Sequence, residues 1–357
     1  MEISFDPGGI EEGNRTGRLR CKMAKAVKMK DIAQRLNVST MTVSKALSGK
    51  PGVSEVMREK IKTLAFEMGY IPSGEIREGM KKSYNIGVIL AKYYTEKWAT
   101  FYWKMYQEIN TRAVEQNCFV LLEIIGEEEE NNQEVPKLIR ENKVDGLMVL
   151  GCMDSGYLKM LHERVPVPAV YMDFYVNDIF EDSVISNSFY GTYEITNYLF
   201  HKGHHEIAFV GTLFSTKSIT DRYLGYEKAM IEHGQKVREE WIIPDRVGER
   251  ESYDSLTLPS EMPTAFVCNC DLTASKLIKL LQETGRRVPE DISVVGYDDY
   301  LYPGLCNVDI TSYGVDMEQM ALTGISILLK KISKTDYRRG IHVVSGYLSE
   351  KQSVMSR

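Results

Sequence analysis

The chain has 357 residues, 43% apolar and 26% charged, enough for two or three compact units with cores of their own. Its formal net charge is −6, yet residues 15–83 carry 16 Lys and Arg against 6 Asp and Glu, so a basic segment is joined to an acidic body. Six scattered cysteines (Cys21, Cys118, Cys152, Cys268, Cys270, Cys306) show no disulfide framework, no apolar run approaches the ~20 residues of a membrane span, and the N-terminus has no apolar signal core. These features argue against a disulfide scaffold, a membrane protein and an exported precursor, and a reducing cytoplasm is expected.

Residues 1–26 show little periodicity and read as a disordered extension, with residues 1–22 ahead of an ordinary start at Met23. Residues 27–72 form the first ordered unit. Ile32, Ala33 and Leu36 fall on one helical face, and Asn37-Val38 ends that helix. Ser39 is an N-cap for a second helix, Thr40 to Leu47, with Val43, Ala46 and Leu47 inward. Ser48 to Gly52 make a loop, and Ser54 opens a third helix whose apolar positions are Val56, Ile61, Leu64, Ala65 and Met68. Two short helices on a tight turn, backed by a third, make a helix-turn-helix. The outward residues of the second helix are Thr40, Met41, Thr42, Ser44 and Lys45. Hydroxyls bond phosphates or base edges, Met touches a thymine methyl, and Lys reaches guanine acceptors. The bland alternative is a structural three-helix subdomain with a solvated face.

The run D-I-A-x-x-x-x-V-S-x-x-T-V-S-K-A-L-S from Asp31 to Ser48, then Val53-Ser54 and G-Y-I-P at Gly69 to Pro72, closely resembles the DNA-binding headpiece of the LacI-type (lactose-repressor) family of bacterial regulators. The resemblance implies that Thr40, Met41 and Lys45 read bases, while Ser39, Thr42 and Ser44 hold phosphates. It also implies that residues 73–83 are a hinge that becomes helical on operator DNA and wedges an apolar side chain into the minor groove. Here the pattern departs: Gly79 stands where the family has leucine, with Met80 beside it and Glu75 and Glu78 nearby. Met80 as the wedge and a plain flexible linker are both open readings.

From Tyr84 strands and helices alternate. Strands fall at Ile86–Leu90, Phe119–Ile125, Val144–Leu150 and residues 169–172, with helices at Trp98–Gln116, Gln133–Asn142 and Tyr157–Arg164. A second series places helices at Ser188–Lys202, Tyr223–His233 and Leu272–Glu283, and strands at Ile207–Val210, Thr264–Cys268 and Ile292–Val295. This order predicts parallel sheets covered by helices in two successive lobes, with a ligand between them near the carboxyl ends of the strands. The lobes are expected at about 84–185 plus 312–350 and about 186–311, with Ile310–Tyr313 and the helix Met317–Lys331 returning to the first. The acidic run Glu127–Glu130 reads as a solvated loop, and Cys268-Asn269-Cys270 as a buried strand rather than a metal site.

The resemblance extends over this body, through Gly191–Leu199, Gly203–Gly211, Asp221–Tyr226 and Arg287–Asp299, and in all covers about residues 28 to 350. It implies an α/β, periplasmic-binding-protein-like (type I) effector domain behind the all-α helix-turn-helix headpiece. On the same ground Arg222 lies across sugar hydroxyls or a ligand carboxylate, Asp298 accepts from ligand hydroxyls, and Cys270 replaces the asparagine usual before the aspartate that is here Asp271. That loss of an amide argues against ordinary hexose geometry. From their own chemistry, Tyr93, Trp98 and Phe101 in the aromatic loop after the first strand are candidates to stack on a ligand. Tyr171, Asp173 and Phe174, at another strand end, are weaker ones. For the aromatics helix-core packing is the competing reading; for Arg222 a surface ion pair; for Asp298 a turn cap.

The function expected is a DNA-binding transcriptional regulator, a repressor, controlled by a sugar-like effector and acting as a homodimer on double-stranded operator DNA. No heptad tail follows Val354, so no tetramer-forming extension is expected. A solute-binding protein of the same fold is the alternative, opposed by the headpiece. An α/β enzyme is a third reading, but G-x-x-x-x-G-K-[ST] and a G-x-G-x-x-G after a strand are both missing. No catalytic residue, metal or cofactor is expected, and His204-His205 read as structural.

Overall fold

A computed structural model of the chain describes residues 27–68, 70, 83–95, 100–246, 256–300, 302 and 304–357. The expected extension at 1–26, the connector through residue 82 with Gly79 and Met80, and Trp98 lie outside the described residues. The chain divides into two compact units, Met1–Met80 and Lys81–Arg357.

The first unit holds helices α1 (Met29–Leu36), α2 (Thr40–Leu47) and α3 (Glu55–Glu67). Asn37 ends α1 in the left-handed region at φ 51°, donating its N–H to the Ala33 and Gln34 carbonyls, and the chain turns at once into α2. Ile32, Val43, Ala46 and Ile61 are wholly buried where the three helices meet, and each large aliphatic among them contributes about 1.5–3 kcal/mol on burial. One expected core position is wrong. Val56 is 70% exposed, and Met57 packs in its stead. The stripe Met57, Ile61, Leu64, Ala65, Met68 keeps the i, i+4, i+7, i+8, i+11 spacing of one face, which Val56 misses by a residue. Arg58 then fastens the C-terminal end of α2. Its guanidinium donates to the carbonyls of Ala46 (3.1 Å) and Lys50 (3.0 Å), groups that a helix end leaves without partners.

In the second unit the strands are β1 (Tyr84–Ala91), β2 (Cys118–Ile125), β3 (Gly146–Leu150), β4 (Ala169–Met172), β5 (Asp182–Ser186), β6 (Ile207–Val210), β7 (Ile242–Ile243), β8 (Ala265–Cys268), β9 (Ser293–Asp298), β10 (Thr311–Gly314), β11 (Ile341–Val344) and β12 (Tyr347–Ser349). They form two six-stranded sheets, ordered β11-β5-β4-β3-β1-β2 and β12-β10-β9-β8-β6-β7. All neighbours run parallel except β10 and β12. Helices α4 (Thr100–Glu115), α5 (Glu127–Asn131), α6 (Lys137–Arg140), α7 (Ser155–Arg164), α8 (Ser188–His201), α9 (Lys217–Glu232), α10 (Asp271–Glu283) and α11 (Met317–Ser333) complete the unit. The central strands are buried on both faces, β3 and β9 at every residue and β1 from Ile86 onward, which is why Ile86–Ala91 and Gly146–Leu150 read as unbroken apolar runs.

Four expectations need correction here. Thr311–Gly314 pairs with β9, so it belongs to the second sheet, and the chain returns to the first lobe only at α11. Tyr347–Ser349 lies in the second sheet as well, so the first lobe takes only about 317–344 of the expected 312–350. The chain thus passes between the lobes three times, after β5, after β10 and after β11. The acidic run is a short helix, not a solvated loop: Glu130 is buried and accepts the Asp154 N–H at 2.5 Å, bracing the start of α7. The helix expected at Gln133–Asn142 shrinks to Lys137–Arg140, because Gln133 is left-handed (φ 53°) and Pro136 caps the turn. His204 is structural, held between the Thr264 hydroxyl (3.0 Å) and the Met355 carbonyl (2.9 Å), and burial lowers its pKa.

Candidate DNA interface and effector cleft

Helix α2 carries the first candidate site. The Ser39 hydroxyl accepts the Thr42 N–H at 3.0 Å, and the Ser39 and Thr42 hydroxyls lie 2.8 Å apart, so the first turn is closed by its own side chains. Val43 and Ala46 point inward and are fully buried. That leaves Ser39, Thr40, Met41 and Ser44 exposed, with Thr42 and Lys45 half-buried. Met41 is 68% exposed, an uncommon place for a large thioether. An eight-residue helix whose outward face is hydroxyl, thioether and ammonium suits the major groove.

The second site lies between the two sheets. A cavity of about 290 Å³ is lined from the first lobe by Tyr94, Tyr102, Cys152, Met153, Asp173, Phe174, Tyr175, Ile185 and Ser186, and from the second by Ser188, Phe214 to Ser218, and Asp221. These residues follow β1, β3, β4, β5 and β6, at the carboxyl ends of the strands. Asp173 follows β4 in the left-handed region (φ 70°) and accepts the Tyr102 hydroxyl at 2.9 Å. Burial raises its carboxyl pKa against the opposing field of Arg222.

Arg222 projects from α9 into the same region and is almost wholly buried. It donates to the Asn269 carbonyl at 2.6 Å, lies 3.6 Å from an Asp298 oxygen, and stacks 3.8 Å over the Tyr297 ring. Its Nε has no hydrogen-bond partner among the described residues. Asp298 ends β9 at φ 105° and Asp299 follows at φ 52°, two successive non-glycine residues in a region that costs about 1–3 kcal/mol each. Burial pushes the Asp298 carboxyl up to about 7 despite the neighbouring guanidinium. The lobes also touch directly. The Ser186 and Tyr297 hydroxyls lie 2.7 Å apart, and Lys217 donates to the Asn177 side chain at 2.8 Å while resting 4.2 Å over the Tyr175 ring.

Of the residues singled out from sequence, Asp173 and Phe174 line the cavity, Phe174 stacked on Tyr171 at 4.8 Å. Arg222 and Asp298 form the buried pair behind it. Cys270 caps α10, its sulfur 3.4 Å from the Thr273 hydroxyl, and burial pushes its thiol up to about 11. Asp271 turns away to brace the strand ends: its oxygens accept the Tyr300 N–H and the Ser312 hydroxyl, each at 2.8 Å. Tyr93 and Phe101 are not among the lining residues; each packs edge-on against a neighbouring tyrosine that is, Tyr94 and Tyr102. Tyr102 and Asp221 were missed although both sit beside residues that were named, and nothing in the sequence marks Phe214. A depression of about 410 Å³ lies at the C-terminal end of α11, but its half-buried cation, Lys331, is already engaged by Glu181 (2.8 Å), Asp182 (3.0 Å) and the Ala169 carbonyl (2.6 Å).

Residues 28–73 match the family described as bacterial regulatory proteins, lacI family, and residues 196–354 match the periplasmic binding protein-like domain. The chain is 30% identical to the HTH-type transcriptional repressor PurR of Erwinia tasmaniensis, over 91% of this chain and 96% of that one. It is 28% identical to PurR of Vibrio campbellii, over 88% and 94%. Among solved structures it is similar to the lac repressor dimer bound to operator and the anti-inducer ONPF (TM-score 0.69, 21% identity, 93% of this chain and 100% of that one). It is also similar to the transcriptional regulator CelR in complex with cellobiose (TM-score 0.63, 22% identity, 92% and 99%). Among the described residues, no helix is long and apolar enough to cross a membrane.

Proposed function

The chain belongs to the LacI family of bacterial regulatory proteins, and from that premise we propose which of its residues carry each half of the function. It is a DNA-binding transcriptional regulator whose hold on DNA is controlled by a small ligand; its relatives are repressors, not enzymes. The exposed face of α2 reads the operator: Thr40, Met41 and Lys45 meet base edges, while Ser39, Thr42 and Ser44 hold phosphates. The observation that carries this reading is the division of α2 into a fully buried face and an outward one of hydroxyls, one thioether and one ammonium. Residues 73–83 serve as the hinge, with Met80 as its apolar wedge.

The cleft takes the effector. Asp173 and Phe174 contact it, and Arg222 with Asp298 sets the polarity behind it, flanked by Cys270 and Asp271. A cavity of this size fits a compact, single-ring polar metabolite such as a sugar, stacked on an aromatic wall and bonded at its hydroxyls. Two copies act together, because one headpiece makes too few contacts for tight specific binding.

The test has two steps. A thermal-shift screen of sugars and nucleosides finds a ligand that raises the melting temperature, since a ligand binding only the folded state stabilises it. A gel shift on the DNA upstream of the chain's own gene then reports operator binding with and without that ligand. The expected result is a shift that the ligand strengthens or weakens. A shift indifferent to every stabilising ligand would separate the cleft from the DNA response and defeat the proposal.

A further inference from the structure

Resting on the reading that the headpiece holds operator DNA, we infer that the body holds DNA as well. The exposed cations where α11 runs out toward β11 form a second, sequence-independent contact, to the phosphate backbone flanking the operator. Residues 330–339 carry five cations, Lys330, Lys331, Lys334, Arg338 and Arg339, against one acid, Asp336. Residues 84–357 as a whole carry 28 Lys and Arg against 40 Asp and Glu, so this is a basic point on an acidic body that otherwise repels DNA. Lys331 is held by Glu181 and Asp182. The other four cations are exposed, and Lys330, Lys334 and Arg339 rim the depression of about 410 Å³.

Cations in the last turn of a helix complement its dipole, which accounts for Lys330 and Lys331. Arg338 and Arg339 lie beyond that reach, in the loop entering β11. The loop is fastened on both sides by one buried carboxylate: Asp182 accepts the Tyr337 hydroxyl and the Gly340 N–H, each at 2.8 Å. Two exposed guanidinium groups thus sit on a fixed loop, and the guanidinium fork matches the geometry of a phosphate. Place in the sheet favours DNA over another anion. Through the parallel pairs Ile86–Gly146, Leu147–Ala169, Val170–Asp182 and Ser183–Ile341, Arg339 lies level with Gly87, three residues from the start of β1. Four strand spacings, about 19 Å, separate β11 from β1. The chain arrives from the headpiece at β1, and Tyr70 and Tyr84 are 14 positions apart, so the connector spans at most about 50 Å. The basic loop therefore stands at the end of the first lobe that the connector joins, while the effector cavity opens at the carboxyl ends of the strands. A duplex running on from the headpiece offers that end one phosphate charge per about 1.7 Å of its axis.

Fluorescence anisotropy on the full chain tests this with two duplexes drawn from the DNA upstream of the chain's own gene. One is trimmed to the base pairs whose substitution weakens binding. The other carries about 15 further base pairs of shuffled sequence at each end, ~50 Å of duplex. The longer duplex should bind about 10-fold more tightly at about 50 mM salt, and that gain should shrink about 3-fold per phosphate contacted as salt rises to about 200 mM. Arg338→Gln with Arg339→Gln should lose most of the gain. Lys236→Gln with Arg286→Gln, which removes the same charge from the loops after α9 and α10 in the second lobe, should keep it. Unchanged melting temperatures show that both variants are folded. No gain from length, a gain that both double variants keep, or a gain that both lose alike overturns the inference. A trimmed duplex that fails to bind overturns the regulator reading and this inference together; one that binds with no gain from length overturns this inference alone.

Discussion

The headpiece and the effector cleft solve opposite electrostatic problems. On α2 the proposed recognition side chains stand outward on a small helical core, exposed or half-buried, and apart from the Ser39–Thr42 cap their side chains make no hydrogen bond to one another among the described residues. In the cleft the functional groups are buried charges that depend on one another. Arg222 faces both Asp173 and Asp298, and burial pushes both acids up. An exposed side chain with no capping role, such as that of Met41, can be exchanged with little loss of fold. Buried ones are fixed by the cost of leaving a charge without its partner. A regulator built this way can change its operator cheaply and its ligand only with difficulty.

The sharpest way to break that contrast is Arg222→Ala. It leaves buried Asp298 and half-buried Asp173 without their cation, and should cost about 3–5 kcal/mol of body stability. The loss should be larger at pH 8 than at pH 5, where Asp298 takes a proton. Chemical denaturation followed by a body-specific probe measures it; a loss below about 1 kcal/mol at pH 8 would show that the pair is dispensable.

A second, smaller effect concerns pH. The folded pKa of Asp298, about 7, lies above the value of about 4 for the unfolded chain, so the native state holds a proton that the unfolded state releases. Its contribution is therefore fully present below pH 4 and lost as pH rises through 7. Asp298→Asn cannot ionise and should flatten the fall in melting temperature across that window, leaving the part due to Asp173 and Asp271, which burial raises in the same direction. Identical slopes in the two proteins would contradict the burial argument.

The smallest effect belongs to the headpiece. Ser39→Ala removes one capping acceptor and should cost about 1 kcal/mol, seen as faster amide exchange confined to α1–α3 while the body is unaffected.

The same contrast explains what was legible in the sequence. The headpiece is one contiguous stretch whose cap, turn and inward stripe are all local, so α1 and α2 could be placed from residue types alone; the slip at Val56 was a single position on one helix face. The two-lobed α/β body was equally visible, because its buried parallel strands are continuous apolar runs. The cleft was not. Its lining gathers residues at the ends of five different strands, and proximity between positions as far apart as Tyr94 and Asp221 leaves no periodic trace. Aromatic density drew attention to Tyr93 and Phe101, which support the wall, while Tyr94 and Tyr102 line it. The isolated Asp173, taken as weaker, lines the cavity. β5, β7, β11 and β12 were passed over because two to five residues are too few to show alternation, and Asp182 and Ser183 make β5 look like a loop.

Most directly at stake is whether the outward face of α2 reads sequence rather than merely carrying charge. The deciding measurement is the affinity of the parent chain and of Lys45→Ala for the DNA upstream of the chain's own gene and for a shuffled duplex of the same composition, at one salt concentration. The account predicts that Lys45→Ala loses about 1–3 kcal/mol on the upstream DNA and much less on the shuffled duplex, with preference relaxed at one base position. An equal loss on both would make Lys45 a phosphate contact and contradict the assignment of base reading to this face.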